Sequence, residues 1–312
     1  MTQTGILGMI MFVVLGAWKL RKLRKKYNYE LIHYWASVPS GILSFLHRGK
    51  TPYVVTLYGG DIPRFISEEL QFVHTLARPF NRSVVTNADK VTSMSYTMKM
   101  AAEKEWGEID ITPICNAASF PPVDPSQIEK KASPITRFIS VGRLLDWKRF
   151  DMAIKAIGRC KDVELVVVGD GPERKNLEQL ATKICPGQVQ FLGLVDKNRV
   201  YEELLKSDVF ILPSIADAFG NVYVEAMSCG LPVIAAKAGG VWESIENNVN
   251  GFLVEPDNVD EMVDKVNFLK DSEERKKMSK EALRLFREKF TWPILFGKYR
   301  SVYSELNIGW DR

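Results

Sequence analysis

The chain has 312 residues, 46% hydrophobic and 26% charged, which is enough apolar material for two ordinary domains and excludes long disorder. The formal net charge is +4, and six basic residues fall in one run, KLRKLRKK, from Lys19 to Lys26; a nucleic-acid binder spreads its basic residues over a face or groove, so no nucleic-acid partner is expected. Cys115, Cys160, Cys185 and Cys229 stand far apart with no CxxC pair or His cluster, so free thiols in a reducing, cytoplasmic compartment are expected and zinc is not.

The first element is apolar from Gly5 to Trp18 and runs directly into the basic stretch. The charge follows the apolar region, which is the reverse of a signal peptide, and the run is shorter than the ~20 residues of a membrane span. Two readings stand. Residues 5–26 form either a core helix with a solvated basic end or a segment at an anionic membrane surface, which would place the protein peripherally at the inner face.

From there the chain alternates. Val- and Ile-rich runs (ELIHYW, YVVTLYGG, SVVTN, RFISVGR, VELVVVGDG, VQFLG, DVFILPS, PVIAA) are separated by segments of helical spacing. That is the pattern of parallel strands buried on both faces, each returning through a helix, so an α/β fold is expected. The Pro-rich stretch FPPVDPSQIEKKASP, from Phe120 to Pro134, breaks the rhythm and marks a domain boundary. The expected division is 1–125, 134–291, and a closing helix over 292–312 that begins after Thr291.

Ligands of open parallel sheets sit at the carboxyl ends of the strands. In SVGRLLDWKRF, Gly142 ends a strand while Arg143 and Lys148 precede a helix, where cations oppose the helix dipole unless an anion lies between them. A solvated surface pair is the alternative. VVVGDGPERK places Gly169 and Gly171 at a strand-to-helix turn, yet neither GxGxxG nor GxxxxGK[ST] is present, so dinucleotide and P-loop chemistry gain no support. In PSIADAFGNVYVEAMSCGLPVIA, Asp217 lies in a loop and Glu225 about one turn into a helix, with Phe219, Gly220, Asn221 and Val222 between them. Carboxylates accept paired hydrogen bonds from sugar hydroxyls, and helix-start amides favour phosphate. In isolation the same pair also reads as a turn cap and a solvated helix residue.

In this order the segments resemble the retaining family-4 (group 1) glycosyltransferases, from about Leu31 to Tyr303. The resemblance implies a GT-B fold: two Rossmann-like parallel-sheet domains, the first on the acceptor side and the second binding the nucleotide sugar. VGRLLDWKRF is similar to the family's diphosphate segment and the Asp217–Glu225 stretch to its E-x7-E region. By that likeness Arg143 and Lys148 neutralise the donor diphosphate, Asp217 contacts the donor sugar and Glu225 holds the ribose. The base would lie near Gly193, Leu194 and Val195. IHYWASVPSGIL and TLYGGDIPRF are similar to the first domain's loops, which puts His33, Tyr58, Gly59, Gly60 and Asp61 on the acceptor or donor-sugar side.

The implied reaction is transfer from a nucleoside diphosphate sugar to a glycan or lipid-linked acceptor with retained configuration, without a metal or other cofactor. Three positions depart from the family: Asp217 where Glu is usual, Tyr58 where His is usual, and Cys115-Asn116-Ala117 where a PNG turn is usual. The family's opening strand and glycine-rich loop have no counterpart, so an incomplete N-terminal domain is expected, completed upstream, by a partner chain, or covered by residues 5–26. A nucleotide-sugar-binding or regulatory protein that cannot transfer is the alternative, and a sugar-nucleotide epimerase a more distant one.

Overall fold

The computed structural model describes residues 6–47, 49, 51–63, 65, 71–124 and 133–306, the side chains of Ile6 and 71–77 excepted. Gly5, part of the Pro-rich stretch (125–132) and the tail from 307 lie outside the described residues. The chain divides into two compact units, 1–115 with 295–312, and 116–294.

The first unit begins with α1 (Ile6–Lys26), followed by β1 (Ile32–Trp35), a 3-10 segment over Ser40–Leu46, β2 (Tyr53–Leu57), α2 (Gln71–Thr86), β3 (Lys90–Ser93), α3 (Tyr96–Trp106) and β4 (Ile111–Pro113). The four strands pair in parallel in the order β1-β2-β3-β4. All five residues of β2 are buried, as a central strand covered on both faces requires. One apolar run is not a strand: Ser83 to Thr86 form the last turn of α2. Val84 and Val85 are fully buried there, and the Tyr53 hydroxyl donates to the Val84 carbonyl, so packing overrides β-branched preference.

In α1, Gly16 lies against Leu43 of the 3-10 segment, so close that a Cβ there would sit 3.0 Å from Leu43 Cδ1. The opposite face is bare. Leu7, Ile10, Met11, Val14, Leu15 and Trp18 are exposed, so α1 is not a helix buried all round.

The second unit follows the expected strand–helix rhythm: β5 (Thr136–Val141), a 3-10 turn at Asp146–Lys148, α4 (Phe150–Ile157), β6 (Val163–Val168), α5 (Arg174–Ile184), β7 (Val189–Gly193), α6 (Lys197–Lys206), β8 (Val209–Leu212), α7 (Asn221–Ser228), β9 (Val233–Ala236), β10 (Gly251–Val254), α8 (Val259–Phe268) and α9 (Ser272–Lys289). Its six strands are parallel in the order β10-β9-β8-β5-β6-β7. The last helix, α10 (Trp292–Ser304), belongs to the first unit from Leu295 on.

Candidate functional site

In the second unit the strand order reverses between β5 and β8, because the chain moves outward one way through β6 and β7 and the other way through β9 and β10. The loops leaving two such strands diverge and open a crevice at their carboxyl ends. The loop after β5 carries Gly142, Arg143 and Lys148, and the loop after β8 carries Asp217.

Three neighbouring loops are stitched together by backbone. Gly142 N–H donates to Val168 O (3.0 Å), Leu144 N–H to Asp170 O (3.0 Å), and Gly169 N–H to Gly193 O (2.9 Å). This close approach explains two of the glycines. A Cβ on Gly169, whose φ is 133°, would collide with the Gly142 carbonyl oxygen, and one on Gly171 with that of Leu144. Gly169 and Gly171 therefore set the shape of the loop bearing Arg143. Gly193 also needs its positive φ of 72°.

Arg143 is exposed at the crevice. Lys148 Nζ donates to Asp217 Oδ1 at 2.6 Å, with the two side chains only 15% and 14% exposed. Loops far apart in sequence thus place a cation and a carboxylate in direct contact. The carboxylate also lies beside Tyr223, whose ionisation is pushed well up by burial and by the Asp217 charge. The Tyr223 hydroxyl donates to the Leu212 carbonyl (2.9 Å), and Gly240 N–H to the Asp217 carbonyl (2.9 Å), so the loop is pinned where it leaves β8 and again at Asp217.

Glu225 is half-buried on α7. Burial raises its pKa above the usual carboxylate range, opposed by a hydrogen bond with Ser119 and by the charge of Lys197. Asn221, exposed at the first turn of α7, accepts from Asn116 Nδ2 at 3.1 Å. Gly220 precedes it with φ 81°, a conformation in which a Cβ would strike the Tyr223 ring. Phe219 does not face a ligand surface; it is 1% exposed, with its ring 5.9 Å from that of Phe290. Val222 is half-buried. After β7, Val195 is half-buried and Leu194 is 81% exposed, leaving an apolar side chain at the strand end.

The first unit has a different set, within β1 and in the turn after β2. His33 engages both ring nitrogens, Nδ1 with the Tyr303 hydroxyl (2.6 Å) and Nε2 with Thr56 Oγ1 (2.7 Å), and burial pushes its pKa down to about 4. Neutral and doubly bonded, it ties β1 and β2 to α10. Asp61 is also turned inward. Its Oδ2 accepts from the Ser37 amide (2.9 Å) and its Oδ1 from the Tyr58 amide (3.1 Å), while burial raises its pKa. Gly59 is buried with φ 89°, whereas Tyr58 and Gly60 are exposed.

The group 1 glycosyl transferase profile matches residues 125–284, and that of glycosyltransferase family 4 matches residues 6–118. The chain belongs to the group 1 glycosyltransferases. It is 27% identical to an uncharacterized glycosyltransferase of Methanocaldococcus jannaschii over 299 residues, covering 94% of this chain and 81% of that protein. It is 28% identical to N-acetyl-alpha-D-glucosaminyl L-malate synthase of Bacillus anthracis over 310 residues, covering 92% and 78%. Anabaena HepE, solved in complex with UDP and glucose, aligns with a TM-score of 0.77 at 25% identity, covering 97% of this chain and 84% of that one. The two parallel sheets are those of the GT-B fold.

In this glycosyltransferase, the structure brings Lys148 and Asp217 into direct contact at the β5 and β8 strand ends, leaves Arg143 exposed on the loop that carries Lys148, and puts Glu225 on the helix that follows. Ser119, Lys197 and Tyr223 were not foreseen from the sequence. Ser119 and Lys197 lie well away from Glu225 in sequence and carry no motif of their own. Tyr223 falls inside the Asp217–Glu225 stretch, but its side chain reads there as one more apolar helix position. Among the described residues no group of three or more His, Cys, Asp or Glu is arranged to hold a metal ion, and no helix is long and apolar enough to cross a membrane.

Proposed function

We propose that the protein transfers a sugar, with retained configuration, from a nucleoside diphosphate sugar held at the β5/β8 crevice. The observation that carries this reading is the contact of Lys148 with Asp217 at the reversal of strand order, with Arg143 exposed on the same loop as Lys148. Charge builds on the leaving diphosphate as the glycosidic bond breaks, and preorganised cations at that point lower the barrier most. At rest Lys148 is held by Asp217. A donor diphosphate would compete for the ammonium while the donor sugar's hydroxyls take up the carboxylate.

Glu225, with Ser119 and Lys197 beside it, suits the paired hydroxyls of a ribose, and exposed Leu194 suits the face of a base. The Anabaena structure with UDP and glucose supports a uridine nucleotide as the donor to try first. No side chain need act as nucleophile: the departing phosphate can take the acceptor's proton, and the two cations take the place of a metal. Transfer is accordingly expected to persist in EDTA. The bare apolar face of α1, followed by the basic run, supports a peripheral position on an anionic membrane. Loss of vesicle flotation when Lys19, Arg21, Lys22 and Lys25 become Gln tests that position.

The deciding experiment incubates the purified chain with UDP-, GDP- and ADP-sugars and reads nucleoside diphosphate release. Release with one of them is the expected result. Binding without release makes the protein a sugar-nucleotide-binding module, and neither binding nor release overturns the proposal.

A further inference from the structure

The carboxyl ends of the first unit's strands carry exposed aromatic rings in sheet order. Trp35 is the last residue of β1, Tyr58 follows β2, and Tyr96 opens the helix after β3; they are 47%, 42% and 48% exposed. Exposed large rings at three successive strand ends are unusual beside a wholly buried β2 and a mostly buried β3. The Trp35 and Tyr58 rings meet edge to face at 5.9 Å and 71°.

The Trp35 and Tyr58 rings are held from beneath. Trp35 stacks on the His33 imidazole at 4.6 Å and 22°, and that imidazole is fixed by Thr56 and Tyr303. Tyr299 adds a second edge-to-face contact with Trp35 at 5.6 Å. Asp61 binds the amides of Ser37 and Tyr58 through its two oxygens, and Ser37 Oγ donates to Asn81 Oδ1 at 2.9 Å. One buried carboxylate thus locks together the turns after β1 and β2, and with them the two rings. Asp61 is a positioning residue, since its oxygens point into the turns and away from solvent.

Among the described residues of this network, what remains outward is aromatic and uncharged. The only carboxylate of the network is buried, and the imidazole beneath is neutral at neutral pH. Among the described residues of this network an anionic headgroup or a phosphate finds no cation. The C–H face of a pyranose, by contrast, packs well on the negative face of an aromatic ring, and a rigid platform binds it without an ordering cost.

We infer that Trp35 and Tyr58, held in place by His33 and Asp61, form together with Tyr96 at the next strand end a stacking platform for the pyranose ring of a saccharide acceptor. The assignment rests on the glycosyltransferase reading above and names the acceptor class for it.

Saturation-transfer NMR on the full chain tests this with methyl glycosides of glucose, galactose, mannose and N-acetylglucosamine, and with L-malate as a non-saccharide probe. The expected result is saturation passing from aromatic protons to the ring C–H protons of at least one glycoside. Trp35→Leu and Tyr58→Leu should each weaken that glycoside roughly tenfold, while Trp35→Phe restores most of the binding. UDP titrated into the same proteins should bind equally well to all of them. Absence of UDP binding refutes the donor reading, whereas the glycoside signal reads the platform independently. No glycoside signal, an undiminished signal in Trp35→Leu, or binding of L-malate alone overturns the platform. Should Trp35→Leu fail to fold, Tyr58→Leu, whose ring is exposed, decides the matter.

Discussion

The two units use the same construction, parallel strands with helical returns, and place opposite chemistry at its carboxyl edge. In the second unit that edge carries Arg143, Lys148, Asp217 and Glu225, all charge-bearing side chains beside a reversal of strand order. In the first it carries Trp35, Tyr58 and Tyr96, with the only carboxylate of the network, Asp61, buried beneath them. The comparison teaches that the sheet supplies only the address. Whether the edge presents charge or a neutral ring is decided by a few loop residues and by whether their charges face outward or inward.

The comparison breaks most visibly at Lys148. Lys148→Ala should lower kcat by ~10²–10³-fold or more, since one preorganised donor to a developing charge is lost, with the circular-dichroism spectrum unchanged. Next comes Asp217→Asn, which removes a charged hydrogen bond worth ~1.5–3 kcal/mol and should cut transfer by about 10- to 100-fold. UDP, which has no sugar for Asp217 to hold, should bind this variant as well as or better than the wild type, because Lys148 is released from its counter-charge. Weaker UDP binding would place Asp217 on the nucleotide instead.

Gly171→Ala sharpens the contrast from the structural side. The new Cβ meets the Leu144 backbone, so a loss of about 1–3 kcal/mol in thermal or denaturant unfolding is expected, with transfer reduced because the Arg143 loop shifts.

The smallest effect is a pH dependence in the first unit. His33 has a folded pKa of about 4, below its unfolded value, so the unfolded chain takes up a proton first as the pH falls. Its neutral form is fully stabilising above about pH 6.5 and loses that contribution between there and pH 4. Asp61 works in the opposite sense, since burial raises its pKa and its contribution declines as the pH rises. The difference between wild type and His33→Gln isolates the histidine: the stability gap between them should narrow on acidification.

Much of the fold was legible because buried parallel strands write near-continuous apolar runs, and β5, β6, β8 and β9 do so. Ser83 to Thr86 misled because two valines carry the same local signal in the last turn of a helix as in a strand. At the site, the positions of Arg143, Lys148 and Asp217 followed from strand ends, but the direct Lys148–Asp217 contact did not, because it joins loops 69 residues apart. The inward turn of Asp61 and the double engagement of His33 were equally invisible. Both depend on partners distant in sequence, Ser37 for the Asp61 carboxylate and Tyr303 for His33, that no local pattern connects to them.

The central claim, that the β5/β8 crevice holds a donor diphosphate through its cations, is tested most directly by calorimetric titration of UDP and of uridine into wild type and Lys148→Ala. The ratio of the two affinities isolates the diphosphate. The wild type should favour UDP strongly, and Lys148→Ala should lose most of that preference while uridine binding stays the same. An unchanged ratio in the variant would contradict the claim.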